Sequence, residues 1–314
     1  MKMLGRILVP MDFSKHSRRA LNCISQLPDV KEIILLNVVV RTPTGILDPV
    51  SLKSAKAELE AQARPLMEAG FNIETIARPT LEGQDVADVI ESVADEENIS
   101  LIVISINTVM GGKLLEGTAH SLLCQDDTHL LMLPREQLEK DDEMMKDFCR
   151  HIFAKVLLPT NLSLSAKEAI LFVARMKGIR NILLLHVISE EGLKNEADAR
   201  IKRTENELKA LTGELHGRGD LDLMPPLGVR LTDDALRCHI CAEQINIACH
   251  VVIGNLNQEI NKLAEKEKVS LIAMSSAKDN SAKGFLAESI LCNVAGSSSK
   301  PILVVRTCKL RRSK

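Results

Sequence analysis

Two stretches of this chain repeat one another strand by strand, and that repetition limits the possible fold more than any other feature. RILVPMDFSKHSRRAL from Arg6 returns as KVLLPTNLSLSAKEAI from Lys155, and EIILLNVV from Glu32 returns as NILLLHVI from Asn181, both at an offset of 149. SLIVIS from Ser100 returns as SLIAMS from Ser270 at an offset of 170, so the second copy has gained about 21 residues in between. The gain falls near 195–230, where the Gly- and Pro-bearing stretch Gly217 to Gly228 reads as a surface insertion. A repeat of this length is a whole domain used twice.

Within each copy, short, largely apolar runs alternate with amphipathic ones. In the first, Ile7 to Val9, Ile33 to Val39, Asn72 to Ala77, the run from Leu101 and His129 to Leu133 read as strands. Ser17, Ala20, Leu21 and Ile24 lie at helical spacing, as do Val86, Val89, Ile90 and Val93, and a helix from about Val50 to Ala69 carries Pro65. A fourth helix opens at Gly117-Thr118, and Pro134 stops the last strand. Five strands alternating with four helices predict an α/β fold with a parallel sheet, and strands without polar alternation predict a sheet covered on both faces. The domain boundaries read from the sequence are 1–136 and 153–308, with a charged linker over 137–152 and a basic tail over 309–314.

The junctions after the fourth strand carry the chemistry. LIVISINTVMGGKLLEGT from Leu101 is a buried strand, a loop holding Gly111 and Gly112, and a helix start; LIAMSSAKDNSAKGFLAES from Leu271 repeats the construction. Unpaired N–H groups at a helix start favour an anion, and glycine lets a ligand approach the backbone. The string NTVMGGKLL is not a P-loop, because Asn107 stands for the first glycine and Leu114 for the hydroxyl that would hold magnesium.

The order of these features resembles the universal stress protein family, present as a tandem pair. The likeness rests on Pro10-x-Asp12-x-Ser14 after the first strand, LLNV and LLHV at the second, Gly83 and Gly254 before the third helix, and the two junctions. The resemblance implies two five-stranded parallel-sheet domains of the adenine nucleotide alpha hydrolase-like kind, strand order 3-2-1-4-5, packed as a pseudo-dimer through their last strands. Many members bind ATP through Gly-x2-Gly-x9-Gly-(Ser/Thr), an Asp after the first strand and a backbone group at the end of the second.

Carried over residue by residue, Pro10, Met11 and Asp12 form the loop after the first strand, Val38 is the backbone position, and Gly117-Thr118 is the final pair. The first two glycines are replaced, by Ser105 and Thr108 when aligned on the strand, with one residue too few in the loop, or by Ile104 and Asn107 when aligned on Gly117, and Gly111 and Gly112 stand elsewhere in the loop. The second copy departs further. Asn161 replaces the Asp, Val187 matches Val38, Ser275 and Lys278 replace the two glycines, and Glu288-Ser289 replaces Gly-Ser. A carboxylate about 5 Å from a phosphate, at an effective dielectric near 20, opposes binding by roughly 3 kcal/mol per charge pair.

The resemblance therefore implies a cytoplasmic stress-response regulatory module that binds ATP or AMP in its first half, with no metal beyond magnesium carried by the nucleotide. Ligand ordering of the segment from Ser105 to Gly117 would be read by a protein partner, and pairing would be as a homodimer or internal pseudo-dimer. A nucleotide-independent dimerisation scaffold is the alternative. Catalysis is at most weak ATPase or autophosphorylation, since no carboxylate is clearly placed to orient water.

Composition narrows the rest. A net charge of −2 with mixed signs and no Trp or Tyr argues against nucleic acid, and no apolar run reaches the roughly 18 residues of a membrane span. Eight irregularly spaced cysteines predict free thiols in a reducing compartment. Cys238 and Cys241, followed by Cys249-His250, form the one cluster the family pattern does not absorb, readable as a redox or metal pair or as buried helix residues. Asp12, Ser14 and His16 are too close on one helix start to form a hydrolase triad. Asp12-x-Ser14 and Asn161-x-Ser163 are also what helix capping alone would select.

Overall fold

The structure, a computed structural model, describes residues 4–27, 30, 32–41, 49–107, 117–124, 128–189, 197–216, 245–276 and 288–306. In the first repeat they form β1 (Arg6–Pro10), α1 (Lys15–Ile24), β2 (Glu32–Val39), α2 (Pro49–Glu68), β3 (Asn72–Pro79), α3 (Val86–Glu96), β4 (Leu101–Ile106), α4 (Gly117–Cys124) and β5 (His129–Pro134). Helices α5 (Arg135–Leu138) and α6 (Asp142–His151) follow. The second repeat forms β6 (Lys155–Pro159), α7 (Leu164–Ala174), β7 (Asn181–Ile188), α8 (Ala197–His216), β8 (Asn246–Ile253), α9 (Leu256–Lys266), β9 (Leu271–Ser276), α10 (Glu288–Ser297) and β10 (Ile302–Arg306).

The chain divides into two compact units. The first holds Met1–Arg150 together with Leu291–Val304; the second holds His151–Ile290 and Val305–Lys314. In the first unit the strands run β3-β2-β1-β4-β5, all parallel, the order the family resemblance implies. A sixth strand is added at its edge: β10 pairs antiparallel with β5 through Ile302↔Met132, Leu303↔Leu131 and Val304↔Leu130. In the second unit β9-β6-β7-β8 are likewise parallel, the same order in the second repeat's own terms. Ile33 to Leu36 and Ile182 to Leu185 are buried at every position, as expected of strands covered by helices on each side.

At the amino ends of the strands, Arg6 reaches the carbonyl of Glu97 at 2.6 Å and the carboxylates of Glu97 and Glu74 at 2.9 and 3.1 Å. Lys155 repeats this in the second copy, reaching the carbonyl and carboxylate of Glu267 at 2.6 and 3.1 Å. Both clamps fix β1 and β6 against the helix that feeds the fourth strand. They leave the carboxyl ends of the strands open for other uses.

The charged stretch 137–152, read as a linker, is helical over most of its length, with Leu138, Met145 and Cys149 buried beneath its charged positions. One expectation changes. The expectation of free thiols does not hold for Cys23 and Cys149, which form a disulfide between α1 and α6 with their Cα atoms 4.8 Å apart. Spacing could not reveal this pair, since its members are 126 positions apart.

Candidate functional site

The loop after β1 is stitched to the end of β2. Met11 N–H donates to the Leu36 carbonyl at 2.7 Å, and the Asn37 side chain donates to the Met11 carbonyl at 2.6 Å. Phe13 then takes a left-handed conformation, φ 61°, which costs a side-chain-bearing residue roughly 1–2 kcal/mol. Ser14 caps α1 by accepting from Ser17 N–H. The result is a tight turn that leaves Asp12 exposed at the carboxyl end of the sheet.

Partial burial pushes the Asp12 carboxyl up, but hydrogen bonds from the Ser17 and Ser14 side chains and from backbone N–H groups outweigh it and hold the group below its ordinary value. The carboxylate is therefore ionised through neutral and mildly acidic pH. One of its oxygens accepts from Ser14 N–H at 3.0 Å. In the second repeat Asn161 accepts from Ser163 N–H at the same 3.0 Å, Leu162 has φ 62°, and Ser163 caps α7. An uncharged amide thus builds the same turn, so the turn does not require the charge on Asp12.

Strands β2, β1 and β4 are neighbours, and sequence order reverses between β1 and β4. Ligands of open α/β sheets bind at such a switch point, outside the carboxyl ends of the strands. Val38 near the end of β2, Asp12 after β1 and Ser105 near the end of β4 all lie at this end, each at least partly accessible. Gly117 opens α4 and is exposed, with Thr118 beside it; a Cβ built on Gly117 meets nothing within 4 Å. Thr108, Gly111 and Gly112 lie outside the described residues.

A cleft of about 630 Å³ opens beside the turn, lined by residues that include Phe13, Arg18, Asn37, Val39, Ser51 and Ser54. Sequence reasoning missed Asn37 and Arg18. Asn37 was visible as the single polar residue interrupting the apolar run of β2, and Arg18 was hidden among the basic residues of α1.

The second junction is built differently. Val187 and Ser275 are buried, Ser289 is exposed on the first turn of α10, and Lys278 lies outside the described residues. His186, the counterpart of Asn37, bonds to the Thr160 backbone as Asn37 does to Met11; burial pushes its pKa down and favours the neutral ring. Arg306, 4% exposed, donates to Ser276 Oγ at 2.7 Å and brings a guanidinium to the end of β9.

The other candidates are placed as follows. His16 bonds to Glu139 at 2.8 Å across to the segment after β5. Cys249 and His250 are adjacent on β8 and so face opposite sides of the sheet, with Thr212 and Lys209 of α8 near the thiol. Cys238 and Cys241 lie outside the described residues, among which no cluster of metal-ligating side chains occurs. Among the described residues no helix is long and apolar enough to cross a membrane.

A sequence model of the universal stress protein family matches residues 3–119 and 153–306. A universal stress protein of Methanocaldococcus jannaschii is 30% identical over 169 residues, covering 49% of this chain and 96% of that protein. A universal stress protein from Archaeoglobus fulgidus superposes with a TM-score of 0.65 at 18% identity, covering 96% of this chain and 98% of the other. A protein of unknown function from Pseudomonas aeruginosa superposes with a TM-score of 0.61 at 14% identity, covering 97% and 93%. The two structural likenesses show the fold.

Proposed function

The chain belongs to the universal stress protein family as a tandem pair, and from that premise we propose that it is a regulatory module whose first repeat binds one adenine nucleotide, ATP or AMP. The observation that carries this reading is the comparison of Asp12 with Asn161. Both accept from the serine N–H two residues on at 3.0 Å, yet only the first repeat holds a charge there. A carboxylate accepts and cannot donate, so it suits ribose hydroxyls or an amino group rather than a phosphate. Phosphates belong at the α4 helix start, where the absence of a side chain on Gly117 leaves room for them. Magnesium would enter with the nucleotide, as its counter-ion. The second repeat, with Asn161 and Glu288, is the degenerate copy.

Calorimetric titration of the full chain with ATP and AMP tests this, with two variants that copy the second repeat into the first. Asp12→Asn keeps the turn and is expected to weaken binding by about 10- to 100-fold, the loss of a charge-assisted hydrogen bond. Gly117→Glu is expected to weaken it by roughly a hundredfold through repulsion of about 3 kcal/mol. Neither should lower the melting temperature appreciably, because Asn161 already builds the turn and a Cβ at 117 meets nothing. No binding at millimolar nucleotide, or binding indifferent to both variants, would defeat the proposal and leave a nucleotide-independent scaffold.

A further inference from the structure

The two repeats cap their first helix in the same way and differ at one buried position just inside it. Ser17 of α1 donates its N–H to Ser14 Oγ at 3.2 Å, and Ala166 of α7, 149 places on, donates to Ser163 Oγ at 3.3 Å. Ser17 and Ala166 are both buried, 5% and 3% exposed. Alanine completes the cap unaided, so capping does not account for the hydroxyl of Ser17. A buried hydroxyl is unfavourable unless it is hydrogen-bonded, and its partners show what it serves.

Ser17 Oγ donates to the Ser14 carbonyl at 3.1 Å and accepts from Ser14 Oγ at 3.4 Å. That carbonyl already accepts the helical N–H of Arg18 at 3.2 Å, so it stays satisfied when the hydroxyl turns elsewhere. The other acceptor in reach is the Asp12 carboxylate, one oxygen of which is fixed by Ser14 N–H at 3.0 Å. Burial pushes the Asp12 carboxyl up, and of the hydrogen bonds that hold it down the one from Ser17 is the strongest. In the second repeat Asn161 takes the place of Asp12, and Ser163 Oγ bonds instead to Ser165 Oγ at 3.1 Å. Carboxylate and buried hydroxyl occur together in the first repeat and are replaced together in the second.

We propose, resting on the nucleotide reading above, that Ser17 is a positioning residue of the first repeat's ligand site. Its hydroxyl donates to the Asp12 carboxylate and, together with Ser14 N–H, fixes the rotation of that group so that its outer lone pairs meet the ligand. Two anchors convert a carboxylate on an exposed turn into a preorganised acceptor, and affinity rises because less motion is lost on binding. The amide of Asn161 carries no charge for such a donor to hold, and Ala166 supplies none.

Carbon-13 NMR of the Asp side-chain carboxyls in the ligand-free full chain, with Asp12→Asn to assign the signal, reads the contact without nucleotide. Ser17→Ala is expected to move the Asp12 titration midpoint upward, because the ionised form loses a donor, and Ser17→Thr, which keeps the hydroxyl, should leave it near the wild-type value. Calorimetric titration with AMP should show Ser17→Ala binding about 3- to 10-fold more weakly, and Ser17→Thr within about twofold of wild type. Ser17→Ala should keep the wild-type melting temperature, since Ala166 builds the same helix start. An Asp12 midpoint that Ser17→Ala leaves in place would overturn the proposal, as would unchanged AMP affinity in that variant. A wild type that binds no AMP would instead defeat the nucleotide reading, while the shifted midpoint would still support the Ser17 contact.

Discussion

Leu303→Ala is expected to destabilise the first compact unit by about 2–5 kcal/mol, although Leu303 belongs to the last strand of the second repeat. It is wholly buried, as are its partner Leu131 and the neighbouring Met132 and Val304. Truncation would remove the transfer energy of the side chain and leave a cavity between strands held in register by their ladder. Leu303→Asp should be worse, since it buries a charge with no counter-ion, and a domain whose whole stability is about 5–15 kcal/mol has little to spare. Urea unfolding followed by circular dichroism is the suitable measurement, because the chain has no Trp or Tyr to report by fluorescence. Exchange protection of the β5 amides would localise the effect. A loss below about 1 kcal/mol for Leu303→Ala, with β5 still protected, would mean that β10 is not part of that core.

Opening the Cys23–Cys149 disulfide is the second large effect. Its members close a loop of 126 positions, for which loop-closure entropy predicts stabilisation near the top of the usual range of roughly 2–5 kcal/mol. Both residues are buried, so Cys149→Ala removes the cross-link with little change in volume. Reduction and Cys149→Ala should lower the denaturation midpoint equally, and adding reductant to the variant should change nothing further. Peptide mapping of the unreduced chain should recover the 23–149 pair; failure to find it, together with a midpoint indifferent to reductant, would refute the bond. Because the cross-link joins α1 to α6, its loss should be felt first in the helix whose amino end carries Asp12 and Ser14.

Much of the fold was legible because strands buried on both faces cannot alternate polar with apolar residues. Glu32–Val39 and Leu101–Ile106 announced themselves as predominantly apolar runs, and their return at offsets of 149 and 170 announced the second copy. Asp12, Gly117 and Thr118 were picked out by position in the family motif, and the structure places Asp12 after β1 at the carboxyl end of the sheet and Gly117 at the start of α4. Three features were not. The apolar residues of α6 are outnumbered by the charges that solvate its outer face, so it read as a linker. The disulfide and the β5–β10 ladder join residues far apart in sequence, and local periodicity carries no record of long-range pairing. Asn37 was overlooked because one amide in an apolar strand looks like an imperfection until the carbonyl it holds is seen.

The β5–β10 ladder also determines where this chain can be divided. Cutting within the charged stretch 137–152, where the sequence repeat suggests a boundary, would leave the first repeat with Leu130 to Met132 along an uncapped edge, a row of unpaired backbone groups flanked by apolar side chains. Such an edge recruits another strand, and the nearest suitable one is β5 of an identical fragment. Modularity in the gene and modularity in the molecule are thus out of phase by one strand, so the halves cannot be exchanged as independent parts without also supplying that strand.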